Sequence, residues 1–278
     1  MILDYTEDKN LADIKLLAVD MDLTLLADDC SQPENMPERI AALAEAGVVF
    51  CPASGRPETA LEDLFPESLD LIAICADNGA NVKYHAEQLF VSKMDDALWR
   101  EVVAVAAEQG DCAPVLNCFD HAVCLWKDRE NYPELHKYYR NIIWVDSYDE
   151  VSEDANKISL LFPAWDAEPA FASLYGPQFE RKLFVTNAGR QWIDFMNLGV
   201  SKGSGIAHLC RELGIDLADA AAVGDTYNDI PMLSAVGHSF VVANAEEHMH
   251  QHATYQVPSN NDRGVAVLID AILAAKGR

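Results

Sequence analysis

Leu16-Leu17-Ala18-Val19-Asp20-Met21-Asp22-Leu23-Thr24 (residues 16–24) decides how the chain is read. Four apolar residues in succession predict a strand buried on both faces, and two carboxylates follow it directly. Open α/β sheets bind their ligands beyond the carboxyl ends of such strands, so Asp20 and Asp22 stand where chemistry is carried out. By itself a pair of acids beside a strand end is also what a solvated loop looks like.

Outward from this stretch the rhythm is βα. Pro37 suits the first turn of a helix whose apolar spacing (Ile40, Leu43, Ala44) stops at Gly47. A strand over Val48 to Cys51 ends at Ala53-Ser54-Gly55-Arg56, and a short helix (57–64) and a third strand (71–75) follow. From Asn81 the pattern changes. Residues 82–84 and 89–91 flank a polar turn and predict an antiparallel hairpin. Helices over 97–108, 132–140 and 168–174 then mix with strands over 115–119, 122–126, 158–162, 183–186 and 192–195, which describes an α+β region. After Gly199 the first rhythm resumes, with helices over 202–213, 229–235 and 265–275 and strands over 220–223 and 239–242. The expected architecture is an α/β, Rossmann-like core with a parallel sheet, formed by residues 1–84 and 197–278. Residues 85–196 form an inserted α+β domain on two linkers that permit hinge movement.

The 278 residues carry a formal charge of −25 and are 50% hydrophobic, which supplies ample core and repels phosphate backbones and anionic lipid. Nucleic-acid and membrane-surface roles are therefore not expected. The acidic start MILDYTEDKN lacks the basic and apolar blocks of a signal peptide, and a cytoplasmic protein is expected. Seven cysteines without a CxxC pair suit reduced thiols. Cys112, Cys118 and Cys124, though evenly spaced, are read as small buried hydrophobes.

Ser54, Lys202 and the Gly224-Asp225 pair each fall at a predicted strand end or helix start, so one site can receive them all. Their types are complementary. Phosphoryl transfer needs a nucleophile, hydroxyl and cationic groups around the phosphoryl oxygens, and a hard divalent ion to offset charge. GDTYNDIPML supplies Asp225, Asn228 and Asp229, an oxygen-rich set of the kind Mg²⁺ prefers, and equally one that caps a helix. Lys202 reads either as a solvated lysine or as a cation that opposes the helix dipole because an anion binds beside it.

The ordered set DMDLTLL, SGRP, VSKGSGIAHLCRELGI, GDTYNDIPML and SNNDRGVA resembles the haloacid dehalogenase (HAD) superfamily, and within it the Cof-type phosphatases with a type-two cap inserted between the Ser54 and Lys202 motifs. The resemblance implies that Asp20 attacks phosphorus to give an aspartyl-phosphate, and that Asp22 protonates the leaving oxygen and then activates water. It implies Mg²⁺ held by the side chains of Asp20 and Asp225 and the backbone carbonyl of Asp22, with Asp229 binding directly or through water. It places Ser54, Gly55, Arg56, Lys202 and Asn228 around the phosphoryl group or substrate, with Arg56 either touching substrate or bracing the site through a carboxylate. The implied substrates are small phosphorylated metabolites, sugar phosphates or phosphorylated cofactors.

A phosphomutase uses the same intermediate, a receiver-type phospho-acceptor uses similar residues but lacks an inserted cap, and a non-catalytic binder would keep only the fold. Leu23 stands where the family usually has glycine, a departure that bears on activity or substrate choice. Asn78 and Asn244 resemble family positions near the site, and asparagine there is also turn chemistry. Thr24 is expected to fix the nucleophile loop by a local hydroxyl bond. In the cap, Lys157 and Arg190 are expected as exposed cations, and Trp126, Trp144, Trp165 and Trp192 as core packing, with substrate contact as the second reading for each.

Overall fold

The computed structural model describes residues 2–85 and 87–278. Met1, and Ala86 inside the expected hairpin turn, lie outside the described residues. One six-stranded sheet is parallel throughout, in the order Leu3–Asp4, Tyr255–Val257, His238–Val242, Ala220–Gly224, Leu16–Val19, Val49–Pro52. Leu16–Val19 and Ala220–Gly224 lie side by side near its middle and are buried on both faces, as their unbroken apolar runs require. Asp20 and Asp225 are the residues that follow those two strands, so adjacency of the strands brings the carboxylates together. Ala53 donates to the Val19 carbonyl (2.8 Å), which sets the Ser54 loop beside the same strand end.

The expected third strand forms at Ala73–Ala76. It joins a small antiparallel sheet with the hairpin Asn81–Tyr84 and Glu87–Val91, and beside Val49–Pro52 it forms isolated parallel bridges, Phe50 with Ile72 and Ala53 with Cys75, in place of a continuous ladder. The inserted region builds a separate six-stranded sheet in the order Leu183–Asn187, Trp192–Asn197, Lys157–Leu161, Ala113–Cys118, His121–Leu125, Ile142–Val145. All of its pairs are antiparallel except the last. Three strands escaped the sequence reading. Ile142–Val145 follows the helix begun at Tyr132, which stops at Leu135, short of the expected residue 140. Leu3–Asp4 and Tyr255–Val257, too short for a periodic pattern to show, complete the edge of the core sheet.

The two largest apolar clusters lie in different parts of the chain. One unites Leu17, Val19, Val223 and Phe240 with the helices Met36–Glu45 and Gly264–Ala275. The other gathers Trp99, Ile158, Phe162, Tyr175 and Phe195 within the inserted region. Among the described residues no helix is long and apolar enough to cross a membrane. Two tryptophans depart from expectation: Trp126 and Trp165 are exposed, and the fully buried indole is Trp99. Cys118 and Cys124 are buried as expected, and burial pushes both thiols up to about 12.

Candidate active site

Lys202 opens the helix Lys202–Leu213, whose N-cap Ser201 accepts from the Ser204 amide in a capping box. Its ammonium is fully buried, 2.5 Å from Asp20 Oδ1 and 2.6 Å from Asp229 Oδ1. The solvated-lysine reading is thereby excluded: the cation at this helix start is balanced by two carboxylates. Burial would lower its pKa, but Asp20 and Asp229 overcome that and hold it above the ordinary lysine value.

Asp229 is saturated. Its second oxygen accepts from the amides of Asp225 (2.9 Å) and Thr226 (3.1 Å). Gly224 makes this seat possible, since a Cβ there would lie 2.5 Å from the Asp229 Cβ. Asp20 and Asp225 are different. Apart from Lys202 on Asp20 and the Thr24 hydroxyl on Asp225 Oδ1 (3.0 Å), no side chain among the described residues donates to their carboxylates. Thr24 thus acts across the sheet on Asp225, where a local bond had been expected.

Three carboxylates, Asp20, Asp225 and Asp229, place oxygens within 4.8 Å of one another with one lysine among them. Positive charge is short here, and burial sets the carboxyl groups accordingly. Burial, opposed by Lys202 and reinforced by Asp229, raises Asp20 to about 7, and burial with the Asp20 charge raises Asp225 well above the carboxylate range. An all-oxygen donor set short of cations fits a hard divalent ion of the Mg²⁺ kind.

Asp22 is half exposed, and Arg56 clasps it with two bonds, Nε to Oδ2 (2.9 Å) and Nη2 to Oδ1 (2.6 Å). The bracing role for Arg56 is therefore the one seen. Its guanidinium also lies 5.0 Å over the ring of Tyr138, from the inserted region, and Trp192 meets that ring edge-on at 5.6 Å. Tyr138 was missed in the sequence, which holds no signal at that position beyond an aromatic in a short helix pattern. Ser54 is buried, and its hydroxyl accepts from the Arg56 amide at 3.2 Å. The Gly55 carbonyl accepts from Lys157 (2.5 Å), so Lys157 is buried and not the exposed cation expected. Arg190 is exposed.

Asn228 points its amide nitrogen to Asn78 Oδ1 (3.0 Å) and leaves its own buried oxygen without a partner among the described residues. Asn244 donates to the Leu23 carbonyl (2.8 Å) and accepts from the Asn260 amide. That bond spans a strained turn, because Leu23 has φ +61°, the left-handed backbone that glycine adopts freely and leucine does not. Its side chain is 49% exposed, so little burial offsets the strain.

The profile of the haloacid dehalogenase-like hydrolases matches residues 17–269, which include every residue of this site. The chain belongs to that family. Across the family it is 29% identical over 270 residues to the Escherichia coli K12 protein named 5-amino-6-(5-phospho-D-ribitylamino)uracil phosphatase YbjI, with 94% of this chain and 96% of that one covered. The crystal structure of SMU.1108c from Streptococcus mutans UA159 superposes with a TM-score of 0.87 at 25% identity, over 94% of this chain and 99% of that one. The HAD subclass IIB sugar phosphatase BT4131 shares the fold, with a TM-score of 0.78 at 19% identity over 92% and 98% of the two chains. The Cof-type HAD fold with a type-two cap, expected from the motifs, is thus the fold present.

Proposed function

We propose that this HAD hydrolase cleaves small phosphate monoesters, with Asp20 as nucleophile and Mg²⁺ as cofactor. The observation that carries the reading is the buried cluster of Asp20, Asp225, Asp229 and Lys202, in which only Asp20 and Asp225 keep a carboxylate oxygen free of donors among the described residues. Asp20 and Asp225, with the backbone carbonyl of Asp22, would hold the ion, and Asp229, occupied by Lys202 and two amides, would support them from behind. Bound there, the ion supplies the positive charge that lets a carboxylate approach an anionic phosphoryl group.

Asp20 then forms a bond to phosphorus as the ester oxygen leaves, giving an aspartyl-phosphate. Lys202, bound to Asp20, and Ser54, on the loop beside the same strand end, would receive phosphoryl oxygens, with Gly55 shaping the loop and Asn228 lining the site. Asp22, aimed by Arg56, donates a proton to the departing oxygen and afterwards takes one from the water that hydrolyses the intermediate. Residues 85–196 would act as the cap over a core of residues 1–84 and 197–278. From that cap Tyr138 lies against Arg56, the residue that holds Asp22, and Trp192 packs edge-on against Tyr138, so a leaving group emerging beside Asp22 would approach these rings. Aromatic faces at this place favour a substrate with a flat ring or a sugar face, such as a sugar phosphate or a phosphorylated cofactor. A phosphorylated ribitylaminouracil, the compound in the E. coli relative's name, combines a polyol phosphate with such a ring.

The test is phosphate release by purified protein from a panel containing that compound, hexose phosphates and an aryl phosphate, with and without Mg²⁺. Mg²⁺-dependent release that vanishes in Asp20→Asn supports the reading. Isomerised hexose phosphate without free phosphate would make the protein a mutase, and full activity of Asp20→Asn would defeat the nucleophile.

A further inference from the structure

We propose that Lys157, on a strand of the inserted sheet, is a positioning residue that fixes the Ser54-Gly55-Arg56 loop, with Asp77, Asn78 and Asp194 as the frame that aims it. The inference rests on the hydrolase reading of that loop and goes beyond it.

Lys157 is 2% exposed, a costly place for an ammonium unless each of its few donors is used. Nζ lies 2.5 Å from the Gly55 carbonyl, 3.4 Å from Asp194 Oδ2 and 3.6 Å from Asp77 Oδ1. Two of these partners belong to core loops and one to the neighbouring strand of the inserted sheet. Asp194 is itself aimed: Ser159 donates to one oxygen (2.6 Å) and Asn78 to the other (2.7 Å). Asn156, next to Lys157, donates to Asp77 (2.7 Å). The chain of contacts then continues from Asn78 to Asn228 in the segment that carries Asp225.

Asp77 and Asn78 both have left-handed backbone, φ +49° and +54°, a conformation that costs L-residues energy. The strain is local and its result is plain: both side chains face the inserted sheet. Gly79 completes the turn at φ +90°, with no room for a Cβ against the Ser201 carbonyl. At Gly55 a Cβ would lie 3.2 Å from Asp194 Oδ2 and 3.3 Å from Asn78 Nδ2, so the loop packs directly on the frame.

Gly55 is the peptide between two working residues. Ser54 lies beside the strand that ends in Asp20, and Arg56 clasps Asp22. Holding the Gly55 carbonyl therefore fixes the hydroxyl on one side and the guanidinium on the other. A group 102 residues away in sequence, on a different sheet, thus sets the geometry of the phosphoryl loop. For stability alone, apolar side chains of similar volume would serve as well as a buried ion pair.

Lys157→Met by itself leaves Asp77 and Asp194 without a cation and can unfold the protein. The decisive variant is Lys157→Met combined with Asp77→Asn, which restores the local charge but not the donor to Gly55. It is compared with Asp77→Asn alone for melting temperature, steady-state hydrolysis of an aryl phosphate with Mg²⁺, and amide hydrogen exchange over residues 53–57. The expected result is a lower melting temperature with the double variant still folded at the assay temperature, kcat at least tenfold lower with KM within threefold, and exchange at Ser54 to Arg56 that speeds up more than over the rest of the chain. A folded double variant whose kcat and exchange both match Asp77→Asn overturns the inference. If the wild-type protein releases no phosphate from any ester, the hydrolase reading fails instead, and unchanged exchange over residues 53–57 still overturns the role of Lys157.

Discussion

Two buried lysines divide the molecule's polar interior, and they are built from similar parts to different ends. Lys202 meets Asp20 and Asp229, with Asp225 close by; Lys157 meets Asp77 and Asp194. Around Lys157 the neutral donors Asn78, Asn156 and Ser159 fill most of the remaining carboxylate valence. Around Lys202 only Asp229 is filled in this way, while Asp20 and Asp225 each keep an oxygen with no side-chain donor among the described residues. The first arrangement leaves a single carboxylate oxygen, Asp77 Oδ1, without a hydrogen bond among the described residues, and it positions a loop. The second is complete only when a cation and an anionic substrate enter, which is the difference between a brace and a site.

If that division is right, matched substitutions at the two centres should fail differently. Asp225→Asn should lower phosphate release by ~10³-fold or more while leaving the fold intact, because it removes a cation ligand and relieves buried repulsion. Asp194→Asn should act first on stability, by roughly 3–5 kcal/mol, since it leaves Lys157 short of a buried partner. Denaturant melts and initial rates on both variants check the pair of outcomes. Similar behaviour at the two positions would erase the distinction.

Metal addition sharpens the same contrast. Mg²⁺ at a hundredfold over its dissociation constant should stabilise the wild type by about 2.7 kcal/mol and Asp225→Asn far less. EDTA should reverse both the stabilisation and the activity. Asp194→Asn should keep most of its response to the ion, read as a shift in thermal midpoint.

Asp77 offers a test by pH. Burial, partly offset by Lys157, raises its carboxyl from an ordinary 3.8 to about 6. The folded protein then holds this proton more tightly than the unfolded chain does, so the stability it contributes is fully present below pH ~4 and lost as pH rises through ~6. Relative to Asp77→Asn, the wild type should lose roughly 1–3 kcal/mol across that window, measured by urea unfolding at closely spaced pH values. The smallest effect is expected at Leu23. Leu23→Gly should relieve the left-handed strain and stabilise the fold by about 1 kcal/mol, with kcat/KM within about threefold of wild type.

The core was largely legible because its strands are uninterrupted apolar runs ending in functional residues. Leu16–Val19 before Asp20, and Ala220–Gly224 before Asp225, announce both the sheet and the site. The helix Lys202–Leu213 formed over the residues expected for it. Side-chain partnerships across the fold were not legible. That Thr24 reaches Asp225 and that Lys157 reaches Gly55 depends on contacts 201 and 102 residues apart, which no local pattern encodes. A polar pair, Asn156-Lys157, directly before the apolar run ISLLF was the available hint that Lys157 enters a buried sheet. Tyr138 owes its position to a helix shorter than its sequence suggested, followed by a strand that had not been expected.

The central claim is that Asp20 becomes phosphorylated. Asp22→Asn protein, mixed with an aryl phosphate and Mg²⁺, quenched in acid and digested, should carry one phosphoryl group on the peptide containing Asp20, and none when Mg²⁺ is omitted. Wild-type turnover without any phosphoryl group at Asp20, or with one on a different residue, would contradict the account.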